Sequence, residues 1–123
     1  MEPGTIVNRT VLLVRIKQPF YDWIAQDFAP DEPPPLDEIN KDCSAYLVPE
    51  TDEDDENRAI LRIAFTAIFE CELALWCTDP DSWPEIRSRA LFDKWMECEF
   101  HSVVTDLAPG LIGPWESGPT ALD

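Results

Sequence analysis

The residues that could do chemistry are few. His101 is the only histidine and would serve as a general base if a carboxylate oriented it. On a strand, Glu99 shares its side and Asp106 points away. Cys98-x-x-His101 offers a thiolate and an imidazole, the donors zinc prefers, and Cys71 and Cys77 could add two more. Six residues apart on a helix, those two fall on different faces, and there is no C-x-x-C pair, so the cysteines read as small buried hydrophobes and no metal is expected. Neither Ser102 nor a cysteine sits in a recognisable nucleophile setting, and no G-x-S-x-G occurs. Only four glycines are present, three of them near the C-terminus, so the phosphate-cradling G-x-G-x-x-G and P-loop are missing and no nucleotide or other cofactor is expected.

The acidic run Asp52, Glu53, Asp54, Asp55 and Glu56 presents carboxylates at alternate positions, as calcium loops do. It lacks the loop glycine, and Ile63 stands where the twelfth-position glutamate belongs. The run reads instead as a solvated helix start, where the macrodipole favours negative charge.

Charge then narrows the function classes. The chain has 123 residues, with 25 Asp and Glu against 9 Lys and Arg, for a net charge of −16. Spread over the roughly 6,700 Å² expected of a folded chain this size, that is about one net negative charge per 400 Å². Such a field repels phosphate backbones and anionic lipid, so direct nucleic-acid or membrane binding is not expected, while a basic protein would be steered in. The plain alternative is that the charge only confers solubility. The first apolar run, Val11 to Ile16, is interrupted by Arg15 and too short for a signal, and the apolar stretch 59–77 carries Arg62, Glu70 and Glu72. A cytoplasmic protein with reduced thiols is the resulting expectation.

Periodicity supplies the elements meant to position these groups. Thr10 to Ile16 predicts a central strand with both faces largely covered. Pro19 opens a helix to residue 28, followed by the stiff connector Pro33-Pro34-Pro35 and a helical turn over 36–40. Ser44 to Pro49 predicts a second strand, ended by proline as an edge strand tolerates. A long helix over 56–77 carries a stripe at Ile60, Ile63, Ala64, Ala67, Ile68, Cys71 and Leu75, widened by Leu61, Phe65, Phe69 and Trp76; its breadth suggests a homodimer contact. Ser82-Trp83-Pro84-Glu85 reads as a capping box opening a helix to Glu97. Val103-Val104-Thr105 reads as the core of a third strand. The fold class is therefore α+β: a small, mostly antiparallel three-stranded sheet packed against three helices, in the order β-α-β-α-α-β. Residues 1–107 form the domain, and 108–123 a Gly/Pro-rich tail with Trp115 as its anchor.

Three segments, Lys17-Gln18-Pro19-Phe20-Tyr21-Asp22-Trp23, Tyr46-Leu47-Val48-Pro49-Glu50 and Phe100-His101-Ser102-Val103-Val104-Thr105-Asp106-Leu107, together resemble a family of short, acidic, uncharacterised bacterial proteins. The resemblance spans about residues 8 to 107 and implies a bacterial cytosolic origin. It supplies no catalytic residue, cofactor or partner.

If the third strand starts near Phe100 and runs antiparallel to the first, Lys17, Tyr21, Asp22, Trp23 and His101 gather at one end of the sheet. That corner is either a ligand cleft or a tryptophan-capped corner of the core. The leading functional expectation is a non-enzymatic interaction protein that offers its acidic surface, with Asp52 to Glu56 prominent, to a basic partner. A DNA mimic or immunity-type inhibitor is a specific form of it. A small enzyme or ligand-binding domain using the corner is the rival.

Overall fold

The computed structural model describes residues 4–115; the expectations for residues 1–3 and 116–123 lie outside that range. In chain order the elements are β1 (Thr5–Ile6), β2 (Arg9–Ile16), α1 (Gln18–Phe28), α2 (Leu36–Lys41), β3 (Ser44–Pro49), α3 (Asp54–Trp76), a 3-10 turn (Pro80–Ser82), α4 (Arg89–Trp95), β4 (Met96–His101) and β5 (Thr105–Asp106). The chain is α+β, with the main sheet ordered β3-β2-β4 and antiparallel throughout. β1 and β5 add a separate two-stranded ribbon, which the sequence reading did not contain.

Strand alternation decides which face of the sheet is dry. Thr10, Leu12, Val14 and Ile16 are buried, while Val11, Leu13 and Arg15 are half-buried. The register places Leu12 between Tyr46 and Phe100, Val14 between Ser44 and Cys98, and Ile16 beside Met96, so the inner face is continuous across all three strands. The expectation that both faces are largely covered is therefore corrected. One face packs against helices; the other keeps Ala45, Leu47, Glu97 and His101 exposed.

Onto the inner face pack Phe20 and Ile24 from α1, Ile68, Phe69 and Leu73 from α3, and Phe92 from α4. Burying each such side chain contributes about 1.5–3 kcal/mol before the cost of ordering it. The rings interlock: Trp95 lies 5.3 Å from Phe20 and 5.7 Å from Phe69, and Phe69 lies 6.0 Å from Phe92. Edge-on and tilted contacts at these spacings suit the ring quadrupoles.

Along α3 the apolar stripe is rotated from the expected one. Ile68, Phe69, Glu72 and Leu73 are buried, whereas Ile63 is 81% exposed and Leu75 57% exposed. The domain's own sheet and α4 cover one side of the helix and leave Ile63, Ala67 and Leu75 of the expected stripe exposed.

The region 82–107 departs most from expectation. Ser82 ends the 3-10 turn rather than capping a helix, and Asp79 accepts from the Asp81 N–H at its start. A helix beginning at Ser82 would need Trp83 helical, but the residue before a proline avoids that region, and Trp83 is extended at φ −79° and ψ 158°. Its indole is buried and donates to the Cys77 carbonyl at 2.8 Å, pinning the loop across the end of α3. The working cap is Ser88, whose hydroxyl accepts from the Leu91 N–H at 3.1 Å. With that helix ending at Trp95, the third strand comes earlier than expected: Met96, Cys98 and Phe100 turn inward, and Glu97, Glu99 and His101 outward. Val103 is 73% exposed, and only Thr105–Asp106 pairs again, with β1. Trp115 is 71% exposed, so it does not anchor the tail to the domain.

Candidate functional site

The register of β2 against β4 takes the expected corner apart. Ile16 pairs with Met96 and Val11 with His101, so Lys17 and His101 stand at opposite ends of the sheet, roughly 20 Å apart along the strand. The cause is the early start of β4. At the Ile16 end, Lys17, Tyr21 and Trp23 tie elements together, while Asp22 bonds within α1. Lys17 Nζ donates to the Asp93 carbonyl at 2.7 Å, in the last turn of α4, where a cation meets the negative end of the helix. Tyr21 Oη reaches the Pro33 carbonyl at 3.5 Å, and Asp22 accepts from Gln18 Nε2 at 2.8 Å. Trp23 packs against Phe20 and Trp95 and donates to the Ser82 carbonyl at 3.3 Å. Its outer edge joins Gln26, Asp27 and Ser82 around a shallow dent of about 170 Å³.

His101 lies on the exposed sheet face. Its Nε2 contacts Glu99 Oε2, and Glu99 Oε1 accepts from Arg15 Nη1 at 3.1 Å. The pairing of His101 with Glu99 follows from strand alternation, as expected. His101 first, and Arg15 with it, hold the Glu99 carboxyl below its ordinary range. Cys98 and His101 occupy opposite faces of β4 and cannot share a metal. Burial pushes the Cys98 thiol up to about 11, so it stays protonated and unreactive. Among the described residues no three His, Cys, Asp or Glu side chains are grouped to hold a metal ion.

The acidic run lies at the His101 end. Glu53 occupies the cap position of α3, and Asp54, Asp55 and Glu56 form its first turn. Asp55 pairs with Arg58 and Glu56 Oε1 accepts from the Asp52 N–H at 3.4 Å; all five side chains are exposed. Glu50, Asp52 and Glu56 share an open depression of about 270 Å³ with Thr51 and Ser102. A buried hydroxyl network fixes its floor. Thr10 Oγ1 donates to the Thr51 carbonyl at 3.0 Å and accepts from the Thr51 N–H at 2.8 Å, while Thr51 Oγ1 donates to Asn57 Oδ1 at 2.6 Å. This joins the start of α3 to the central strand, so the carboxylates stand on a rigid base.

The opposite end holds a residue that in the sequence served only to argue against a membrane span. Glu72, on the inner side of α3, is 3% exposed. Tyr46 Oη donates to its Oε2, and the Ser44 hydroxyl is also within hydrogen-bonding reach. Burial raises the Glu72 carboxyl above its ordinary range, against the opposing pull of those two hydroxyls. Burial, and then the Glu72 charge, drive the Tyr46 phenol upward as well, so it remains a donor.

Glu72 faces a cleft of about 120 Å³ between β3, α2 and the end of α3, bounded also by Val14, Ile39, Asp42, Cys43 and Trp76. Asn40, on its wall, accepts from the Ile16 N–H and donates to the Ile16 carbonyl, both at 2.9 Å, so a side chain extends the sheet ladder where β3 has not yet begun. The signal for Glu72 was present: it follows Ile68 by one helical turn and precedes Leu73, the spacing of a core position.

Compared with known proteins, the chain matches no family model, no curated protein and no solved structure.

Proposed function

We propose that the protein is a non-enzymatic interaction protein whose acidic surface captures a basic protein partner, with the segment from Glu50 to Glu56 at the centre of that surface. The observation that carries this reading is the number of carboxylates with no cation beside them. Leaving aside Glu2, Glu116 and Asp123, 22 acidic residues are described, and only Glu38, Asp55, Asp93 and Glu99 form ion pairs. Glu50, Asp52, Glu53, Asp54 and Glu56 lie together without one. Self-repulsion within such a cluster costs stability, and a partner's lysines and arginines would relieve it while raising the rate of encounter.

The dispersal of Lys17, Tyr21, Asp22 and Trp23 from His101 supports this reading over a catalytic corner, because Lys17, Tyr21 and Trp23 tie α1 to α4 and the loops and Asp22 is bonded within α1. Kinship with the short acidic bacterial proteins belongs to the same proposal and rests on the three segments that carry the resemblance.

The test is association of the full chain with a cationic protein such as a histone, measured by calorimetry from 20 to about 300 mM salt. Binding that weakens steeply with salt and falls at least tenfold when Asp52, Glu53, Asp54, Asp55 and Glu56 become their amides supports the reading. No binding at low salt, or equal binding by the amide variant, contradicts it.

A further inference from the structure

The cleft beside Glu72 combines features that the acidic surface does not explain. Its carboxyl is almost wholly removed from water, its hydrogen-bond partner is the Tyr46 hydroxyl, and none of the ion pairs among the described residues reaches it. A buried carboxylate is retained at low cost only when a cation or a set of donors compensates it. Here the hydrogen-bond donor is Tyr46 on one side, and on the other side the group lines the cleft.

The space has room for more than a water molecule, which needs only ~10–15 Å³ on the same measure. Its walls at Val14, Ile39 and Leu75 are apolar, Trp76 contributes an aromatic ring, and exposed Asp42 stands at the rim. A carboxylate, an aromatic ring and apolar walls are the ingredients of an ammonium site: the charge meets the carboxylate, the ring attracts the cation, and the alkyl stem covers the aliphatic walls. Anions are disfavoured by Glu72, Asp42 and the net charge of −16.

We infer that this cleft binds a primary alkylammonium group, with Glu72 receiving the charge, Asp42 drawing it in and Trp76 and Ile39 flanking its stem. The three N–H donors of such a group match the free lone pairs of the Glu72 carboxylate and the Ser44 hydroxyl. Either a free amine or a lysine side chain of a protein brings this chemistry. The inference stands on the cleft and does not depend on the acidic-surface proposal.

Titrating the full chain with n-butylammonium chloride, followed by amide and indole NMR at pH 7.5 and 150 mM salt, tests it. The expected result is saturable shifts confined to Asn40, Ser44, Glu72 and Trp76. Affinity falls at least tenfold in Glu72→Gln and severalfold in Asp42→Asn, and is unchanged when residues 52 to 56 are amidated. n-Butanol produces no such shifts. Absence of saturable shifts in the wild-type chain, or equal affinity in folded Glu72→Gln, overturns the inference. A lysine-containing peptide is then compared with its acetyl-lysine form. Tighter binding of the unmodified peptide than of butylammonium identifies a protein side chain as the source, and binding no tighter than butylammonium identifies a free amine.

Discussion

The two ends of α3 carry the same functional group in opposite surroundings. At its start, Asp54, Asp55 and Glu56 stand in water on a scaffold of buried threonines; between four and five turns later, Glu72 is enclosed between the helix and the sheet. Water surrounds the first set and leaves it open to a partner. Enclosure raises the single carboxyl at the other end above its ordinary range and leaves it leaning on the Tyr46 hydroxyl. A count of acidic residues treats the two as equal, whereas solvent separates a surface that repels itself from a site that a cation would complete.

The largest effect expected along this axis concerns packing. Phe69→Ala, at the dry end, removes a ring that touches both Phe92 and Trp95 and should cost about 3–5 kcal/mol in urea unfolding. Ile63→Ala, nearer the wet end and exposed, should stay within about 0.5 kcal/mol. Equal costs would show that the helix is buried on a different face.

Thr10→Val attacks the base beneath the acidic run. The Thr51 N–H loses its acceptor in a buried position, at a cost of about 1–3 kcal/mol in the same assay. A neutral outcome would mean that water replaces the hydroxyl and that the base is wetter than described.

Glu72→Gln should behave differently with pH. Because the folded state raises this carboxyl, it binds the proton more tightly than the unfolded chain does. The stability it contributes is full below the ordinary glutamate range and is lost as pH rises through the folded value. Gln keeps an amide in the same place with nothing to ionise. The variant should therefore gain on the wild type as pH rises, by about 1–2 kcal/mol at pH 8, the scale of an uncompensated buried polar group. Thermal unfolding between pH 4 and 8 measures the crossing. Glu99 works with the opposite sign: its lowered carboxyl stabilises above the ordinary range and loses that contribution on acidification.

The smallest effect belongs to the wet end itself. Asp54→Asn removes one charge from the first turn of α3, where the helix dipole favours it, at a cost of about 0.3–1 kcal/mol that neighbouring carboxylates partly offset. High salt should erase the difference in thermal unfolding.

Much of the architecture was legible. The central strand, the proline-opened α1 and β3 follow from local patterns that tertiary structure did not override, and β3 matches residue for residue. Ser82 misled because its capping pattern contains its own contradiction: Pro84 forbids the helical Trp83 that the pattern requires, and Ser88, with no glutamate three residues on, does the capping. That error moved the third strand toward Val103 and with it placed His101 beside Lys17. The acidic run at a helix start was legible because sequence adjacency makes it so. The core spacing of Glu72 was visible but its role was not, since a charged residue inside an apolar stripe reads as the stripe's edge until Tyr46, 26 residues earlier, is known to meet it.

The contrast between the two ends is tested most directly by following the Glu72 side-chain carboxyl through a 13C NMR titration of the full chain. The account requires its resonance to move at a pH above the ordinary glutamate range, and to move to lower pH when saturating butylammonium occupies the cleft. A Glu72 resonance that titrates at or below the ordinary range in the empty protein would contradict it.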